Sequence, residues 1–214
     1  NIHIDSLIKL ANDNKEPNVI KAIAYLNEAS EYEQKMDENL KFKFYEAAGN
    51  IFFLQESYHL ALKYYNKQLA LDATETASQK HLIYNNIGKI YWRLGNKKQA
   101  KAYWEKSLQE LKKSPDRKKS PESYIVYNNL AVLERSEKNY VRALKMLKEF
   151  ADYSFKLKDT TGLVKAYQNI ALNHIDITEY DIALMYLQRA KKLAKKAGLK
   201  NDLAESIITW GLST

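Results

Sequence analysis

One rhythm constrains the chain more than any other feature. Four stretches carry an aromatic residue, a small residue four places later and an alanine twelve places after that. The aromatics are Tyr45, Tyr84, Tyr127 and Tyr167, the small residues Gly49, Gly88, Ala131 and Ala171, and the alanines Ala61, Ala100, Ala143 and Ala183. A fifth, weaker copy lies near the start, where AIAYLNEA at 22–29 aligns with ALMYLQRA at 183–190. The marker alanines 22, 61, 100, 143 and 183 therefore recur about every forty residues, the length of one helical hairpin. Within each copy two helical patterns are separated by a short break such as Leu94-Gly95-Asn96 or Ser136 to Asn139. Tyr84, Ile87, Gly88 and Tyr91 follow the i, i+3, i+4, i+7 spacing of one buried stripe, and Ala100, Tyr103, Trp104, Ser107 and Leu108 form another.

A lone hairpin cannot bury its own apolar stripe, so neighbours must stack and stability becomes a sum over units and interfaces. The small residues let the two helices of a hairpin approach closely, and the aromatics fill the space beside them. Composition agrees: 214 residues with only 6 Gly and 3 Pro disfavour turn-rich β architectures. The absence of cysteine excludes a disulfide framework and thiolate chemistry. No apolar run is long enough to cross a membrane, and no membrane insertion is expected of this segment.

These residues resemble the tetratricopeptide repeat, whose aromatic, Leu/Ile-Gly/Ala, aromatic and Ala-x-x-x-aromatic pattern is met by Tyr84, Ile87-Gly88, Tyr91, Ala100 and Trp104. Glu134 and His174 depart from it at the second aromatic, Leu147 and Leu187 at the last. The period exceeds the family's usual one, as in kinesin light chains and bacterial peptide-sensing regulators, whose helices run longer or whose linkers are extended. The resemblance implies an all-α, right-handed α-α superhelix of five hairpins plus a partial sixth. Its repeats are read at 3–36, 42–75, 81–114, 124–157 and 164–197, with a partial repeat at 203–214, all in one array over 1–214. Ile207, Trp210 and Gly211 restart the pattern without a partner helix, so continuation beyond Thr214 is expected. Ser114 to Glu122 reads as a basic surface loop, with Pro121 opening the next helix.

In such a stack the first helices line the concave surface, and the stripe opposite the buried one faces a guest. That stripe offers Asn50 with Lys43, Glu46 and Phe53 in the second repeat, and Asn85, Asn86, Lys89, Trp92 and Arg93 in the third. The fourth gives Asn128, Asn129 and Arg135, and the fifth Gln168 and Asn169. Asn86, Asn129 and Asn169 recur at one phase, although Asn is a mediocre residue inside a helix. An amide both donates and accepts, which suits the main chain of an extended peptide; in resembling peptide-binding arrays asparagines at this phase hold it. The competing role is hydrogen bonding between adjacent repeats, or simply facing water. Lys89, Arg93 and Arg135 would attract an acidic partner, whereas Glu46 and Ile125 break the carboxylate clamp of chaperone-binding members.

The scattered histidines, His3, His59, His81 and His174, form no metal-binding or catalytic pair. His174 is expected to be a packed, hydrogen-bonded core residue. The reading is a non-enzymatic module for a protein or peptide, with no cofactor or metal, the sensor or scaffold region of a larger bacterial regulatory protein. Compartment is open between cytoplasm and periplasm. The rival reading is nucleic-acid binding, resting on the net charge of +8 and on Lys112-Lys113, Arg117 to Lys119, Lys191-Lys192 and Lys195-Lys196.

Overall fold

The computed structural model describes residues 2–71, 74–113 and 120–199. Among them are ten α-helices and no strand: α1 (Ile2–Asn14), α2 (Val19–Ser30), α3 (Glu38–Leu54), α4 (Tyr58–Leu69), α5 (Thr74–Arg93), α6 (Lys97–Lys113), α7 (Ile125–Ser136), α8 (Tyr140–Lys156), α9 (Thr160–Asp176) and α10 (Tyr180–Lys196). They pair as five hairpins, the all-α tetratricopeptide-type solenoid fold expected. The partial sixth repeat at 203–214 and most of the basic loop lie outside the described residues. Pro121 opens a short 3-10 turn, Pro121–Tyr124, and α7 follows from it.

The long period has a local cause. α5 begins at Thr74, well before the stripe that starts near His81, and α3 and α9 also begin ahead of their stripes. The leading segment of α5, TETASQK before His81, contains neither Gly nor Pro. Caps then fix where helices start: Asp37 accepts from the Leu40 N–H at 2.8 Å, and Asp159 from the Gly162 N–H at 2.9 Å.

The hairpin turns repeat one backbone device. Glu56, Gly95, Lys138 and Thr178, each seven places after the small residue, all have φ between 58° and 74°. The next N–H bonds back to the carbonyl five residues earlier, as in Ser57 to Phe52 (2.9 Å), Asn96 to Tyr91 (2.9 Å), Asn139 to Glu134 (2.8 Å) and Glu179 to His174 (2.9 Å). This closes the first helix with a left-handed residue for which glycine is best suited. Only Gly95 is a glycine, and Thr178 is β-branched, the costliest kind of side chain there. Thr178→Gly is therefore expected to stabilise the fold by about 1 kcal/mol, read as a higher urea midpoint.

Contacts divide the chain into two compact units, Asn1–Glu110 and Leu111–Thr214, with the boundary inside α6. In the first, α3 packs on α1 and α2, and α5 on α3 and α4. One apolar cluster joins Ile4, Leu7, Ile8 and Leu26 to Phe44 and Ile51, and a second joins Ala61 and Tyr65 to Ile83, Ile87 and Ile90. In the second unit α9 packs on α7 and α8, and Ala131, Ala143 and Leu147 share a cluster with Ile170. The cores thus lie between hairpins as much as within them, as a repeat architecture requires.

The small residues do something more specific than let backbones approach. Gly49 lies under the ring of Tyr65, so that a Cβ there would sit 2.6 Å from Cε1, and Gly88 lies under Trp104, where a Cβ would meet Cδ1 and Nε1 at 2.5 Å. Where the small residue is Ala131 or Ala171, the facing position holds Leu147 or Leu187. Glycine is matched to an aromatic and alanine to leucine, conserving the volume at the crossing.

Candidate functional site

The first helices of each unit present the candidate wall. In the second unit this wall is α7 beside α9. Asn169 Nδ2 donates to Asn128 Oδ1 at 2.7 Å, a bond that crosses from the fifth hairpin to the fourth. It uses one end of each amide; the other ends are the Asn128 NH₂ and the Asn169 side-chain carbonyl, one donor and one acceptor. Further along, Arg135 Nε faces Asp176 Oδ2 at 3.7 Å, again between α7 and α9. Asn129 and Gln168 are half-buried on the same helices.

Around this wall the two departures from the repeat pattern have different solutions. The second aromatic of each repeat pairs with a ring on the second helix: Phe52 stacks on Tyr64 (5.6 Å between centroids) and Tyr91 on Tyr103 (5.3 Å). His174 occupies that position in the fifth repeat and stacks on Tyr186 at 6.0 Å, while its Nδ1 meets Glu179 Oε2 at 2.6 Å. It is a packed, hydrogen-bonded residue, as expected. Glu134 cannot stack. Its fully buried side chain is held by Arg142 Nη1 at 3.3 Å and Asn139 Nδ2 at 2.8 Å. Asn139 and Glu179 are the N-caps of α8 and α10, yet neither side chain caps its helix; each reaches back to the first helix.

In the first unit the wall is α3 beside α5, and several expected site residues are tied down. Asn50 Oδ1 accepts from the Tyr65 hydroxyl at 2.7 Å within its own hairpin. Lys89 lies over the Phe53 ring, 5.3 Å from its centroid, joining α5 to α3. Asn86 is half-buried and Arg93 exposed. Two placements correct the expected exposed stripe. Asn85 is only 4% exposed, and its backbone carbonyl accepts from Trp104 Nε1 at 3.1 Å. Trp92 is partly buried, 5.9 Å from Trp104, with Lys97 over its face. Both stand three or four residues from Gly88, and so share the helix face that α6 covers.

Charge on this unit is locally arranged. Glu46 is half-buried on α3, and burial pushes its carboxyl above the ordinary value against the pull of Lys15. Glu33, in the turn before α3, accepts from the Tyr45 hydroxyl at 2.6 Å and from Lys67 at 2.7 Å. Burial alone would raise its pKa, but those two bonds win and hold it below the ordinary value. The three groups join the first hairpin to the second.

Asn173 was not foreseen. It is fully buried, and neither its Nδ2 nor its Oδ1 has a hydrogen-bond partner. Ile51, Ile90 and Leu133 hold the same phase in the preceding repeats, two places after the small residue, and all are fully buried. The signal was present in the sequence as a polar residue at an otherwise apolar phase. No group of three metal-ligating side chains occurs among the described residues, and no described helix is long and apolar enough to cross a membrane.

Residues 82–110 match the family described as tetratricopeptide repeat. No curated protein matches the chain in sequence. Among solved structures the chain is similar to the apo form of RapI, with TM-score 0.79 and 18% identity over 91% of this chain and 71% of that one. It is similar to BtubC from P. vanneervenii, with TM-score 0.73 and 19% identity over 92% and 82%. A signal-transduction ATPase with a tetratricopeptide repeat sensor, from Pyrococcus horikoshii, gives TM-score 0.75 and 21% identity, covering 94% of this chain but 31% of that one. The chain carries a tetratricopeptide repeat at 82–110 and folds as a solenoid of hairpins of that kind.

Proposed function

We propose that the protein is a protein-interaction module that holds an extended peptide segment along its first helices, with α7 and α9 supplying the main-chain contacts. The observation that carries this reading is the Asn169–Asn128 bond. This bond is itself the between-repeat role that competed with peptide contact for Asn169, but it uses only one end of each amide and so leaves each a second end for a ligand. An extended strand offers carbonyls and N–H groups in alternation, and because the two amides already hold each other the ligand need not order two loose side chains. Tetratricopeptide folds are in general non-catalytic interaction scaffolds, and nothing in the wall assembles a nucleophile beside a base.

Two structural neighbours support the reading without extending it to this chain: one is a Rap protein complexed with Competence and Sporulation Factor, the other the repeat sensor of the Pyrococcus ATPase. The role in this protein would be the sensor or scaffold part of a larger regulatory assembly. The test is selection from a displayed library of short random peptides, followed by affinity measurement on the enriched sequence. Asn128→Ala together with Asn169→Ala is expected to weaken binding about ten- to a hundredfold, with the far-ultraviolet circular dichroism unchanged. Equal affinity in the double variant would reject the amide pair as the main-chain contact. Binding of RNA or DNA that collapses with rising salt would instead favour a phosphate-binding face.

A further inference from the structure

We infer that Arg135 and Asn173 form a pocket for an acidic side chain of the bound segment, with Asp176 as its internal stand-in; this rests on the peptide reading above. Three observations meet at the α7–α9 wall. Arg135 Nη1 is buried without a hydrogen-bond partner, although the side chain as a whole is 25% exposed. Asn173 is wholly buried with both amide atoms unpartnered. Asp176, one turn after Asn173 on the same face of α9, reaches Arg135 only at 3.7 Å and is 41% exposed.

The register shows what these groups replace. Arg135 corresponds to Phe53 and Asn173 to Ile90, each counted from the small residue of its repeat. In the second and third repeats those two positions belong to one apolar cluster, with Ile90 in its core and Phe53 packed against it. The fourth and fifth repeats substitute a guanidinium and an amide at an apolar junction and leave their hydrogen-bonding capacity unspent. Buried polar groups without partners are rare, and a local breach of the packing pattern marks functional sites.

The chemistry of the unspent groups selects the guest. The guanidinium and the amide NH₂ are both donors, and one is charged, so they suit a carboxylate that accepts from both. The Asn173 carbonyl remains to accept an N–H from the same ligand. Asp176 presents a carboxylate to Arg135 in the empty protein but at a distance and exposure that make a weak pair. A ligand Asp or Glu takes its place on Arg135, and the fully buried Asn173 amide is reached only as the α7–α9 junction opens.

The test uses the peptides enriched from the display selection. They are expected to carry Asp or Glu at one fixed position, and changing that residue to Asn or Gln should weaken binding about tenfold or more. Arg135→Gln should abolish the preference for acid over amide. Asp176→Asn should strengthen binding of the acidic peptide by removing its competitor. Asn173→Leu should lower affinity for the acidic peptide while leaving the fold at least as stable. Enriched peptides with no fixed acidic position, or an unchanged acid preference in Arg135→Gln, would overturn the inference. So would an Asn173→Leu protein that binds as tightly as the parent, which would make Asn173 a packing feature alone. Loss of binding on amidating the peptide C-terminus, with the side chain indifferent, would overturn the side-chain assignment. Failure to enrich any peptide would overturn the underlying peptide reading, a result distinct from all of these.

Discussion

Replacing Gly88 by Ala is expected to destabilise the protein by about 1–3 kcal/mol, the cost of forcing a methyl group into a filled core. The sign is the informative part. In an ordinary helix interior the same change stabilises by about 0.5–1 kcal/mol, because alanine has less unfolded freedom to lose. Here a Cβ would lie 2.5 Å from two atoms of the Trp104 indole. The ring cannot retreat freely, since its Nε1 donates to the Asn85 backbone carbonyl at 3.1 Å and it is 2% exposed. The size match between facing positions predicts a rescue. In a Trp104→Leu background, which costs several kcal/mol alone by analogy with other large aromatic truncations, Gly88→Ala should become neutral or stabilising. That pairing recreates Ala131 with Leu147 and Ala171 with Leu187, which this chain already uses. Urea denaturation of the four proteins of the cycle measures the coupling, and a simple sum of the single effects would contradict the match.

The second large effect has the opposite direction. Asn173→Leu is expected to stabilise the protein by about 1–3 kcal/mol, the desolvation penalty that an unbonded buried amide carries. Leucine branches at the same γ atom as asparagine, and the equivalent Leu133 is fully buried in the preceding repeat. A higher urea midpoint checks this. A lower one would mean that the amide has found partners, such as an internal water, that the leucine destroys.

How far the sequence carried the argument depends on how many sides of a helix each residue had to satisfy. Gly49, Gly88, Ala131 and Ala171 announced the hairpins because each sits at one crossing of two helices, a local relation that a fixed spacing records. His174 was legible for the same reason: its partners, Tyr186 and Glu179, belong to its own hairpin. The candidate wall was harder to read. A stripe drawn opposite Tyr84, Ile87 and Tyr91 assigns Asn85 and Trp92 to the surface, but a first helix here touches its own second helix and the neighbouring hairpins as well. Three-sided contact narrows the free strip, and Asn85 and Trp92 fall on the side of α6. Asn128 and Asn169 stayed on the strip, yet their mutual bond spans two repeats and no single-helix spacing encodes it. Asn173 shows the limit most plainly: its phase reads as core in three other repeats, so the sequence marks a polar residue in an apolar place, but that neither amide atom has a partner emerges only from the packing around it.

The peptide reading requires the α7–α9 wall to be the surface that a guest strand occupies. A crystal structure of the protein with a selected peptide tests this directly. The expected result is an extended ligand main chain whose carbonyl accepts from Asn128 Nδ2 and whose N–H donates to Asn169 Oδ1, with the bond between the two asparagines intact. A peptide seated on the second helices, α8 and α10, with both asparagines untouched, would contradict it.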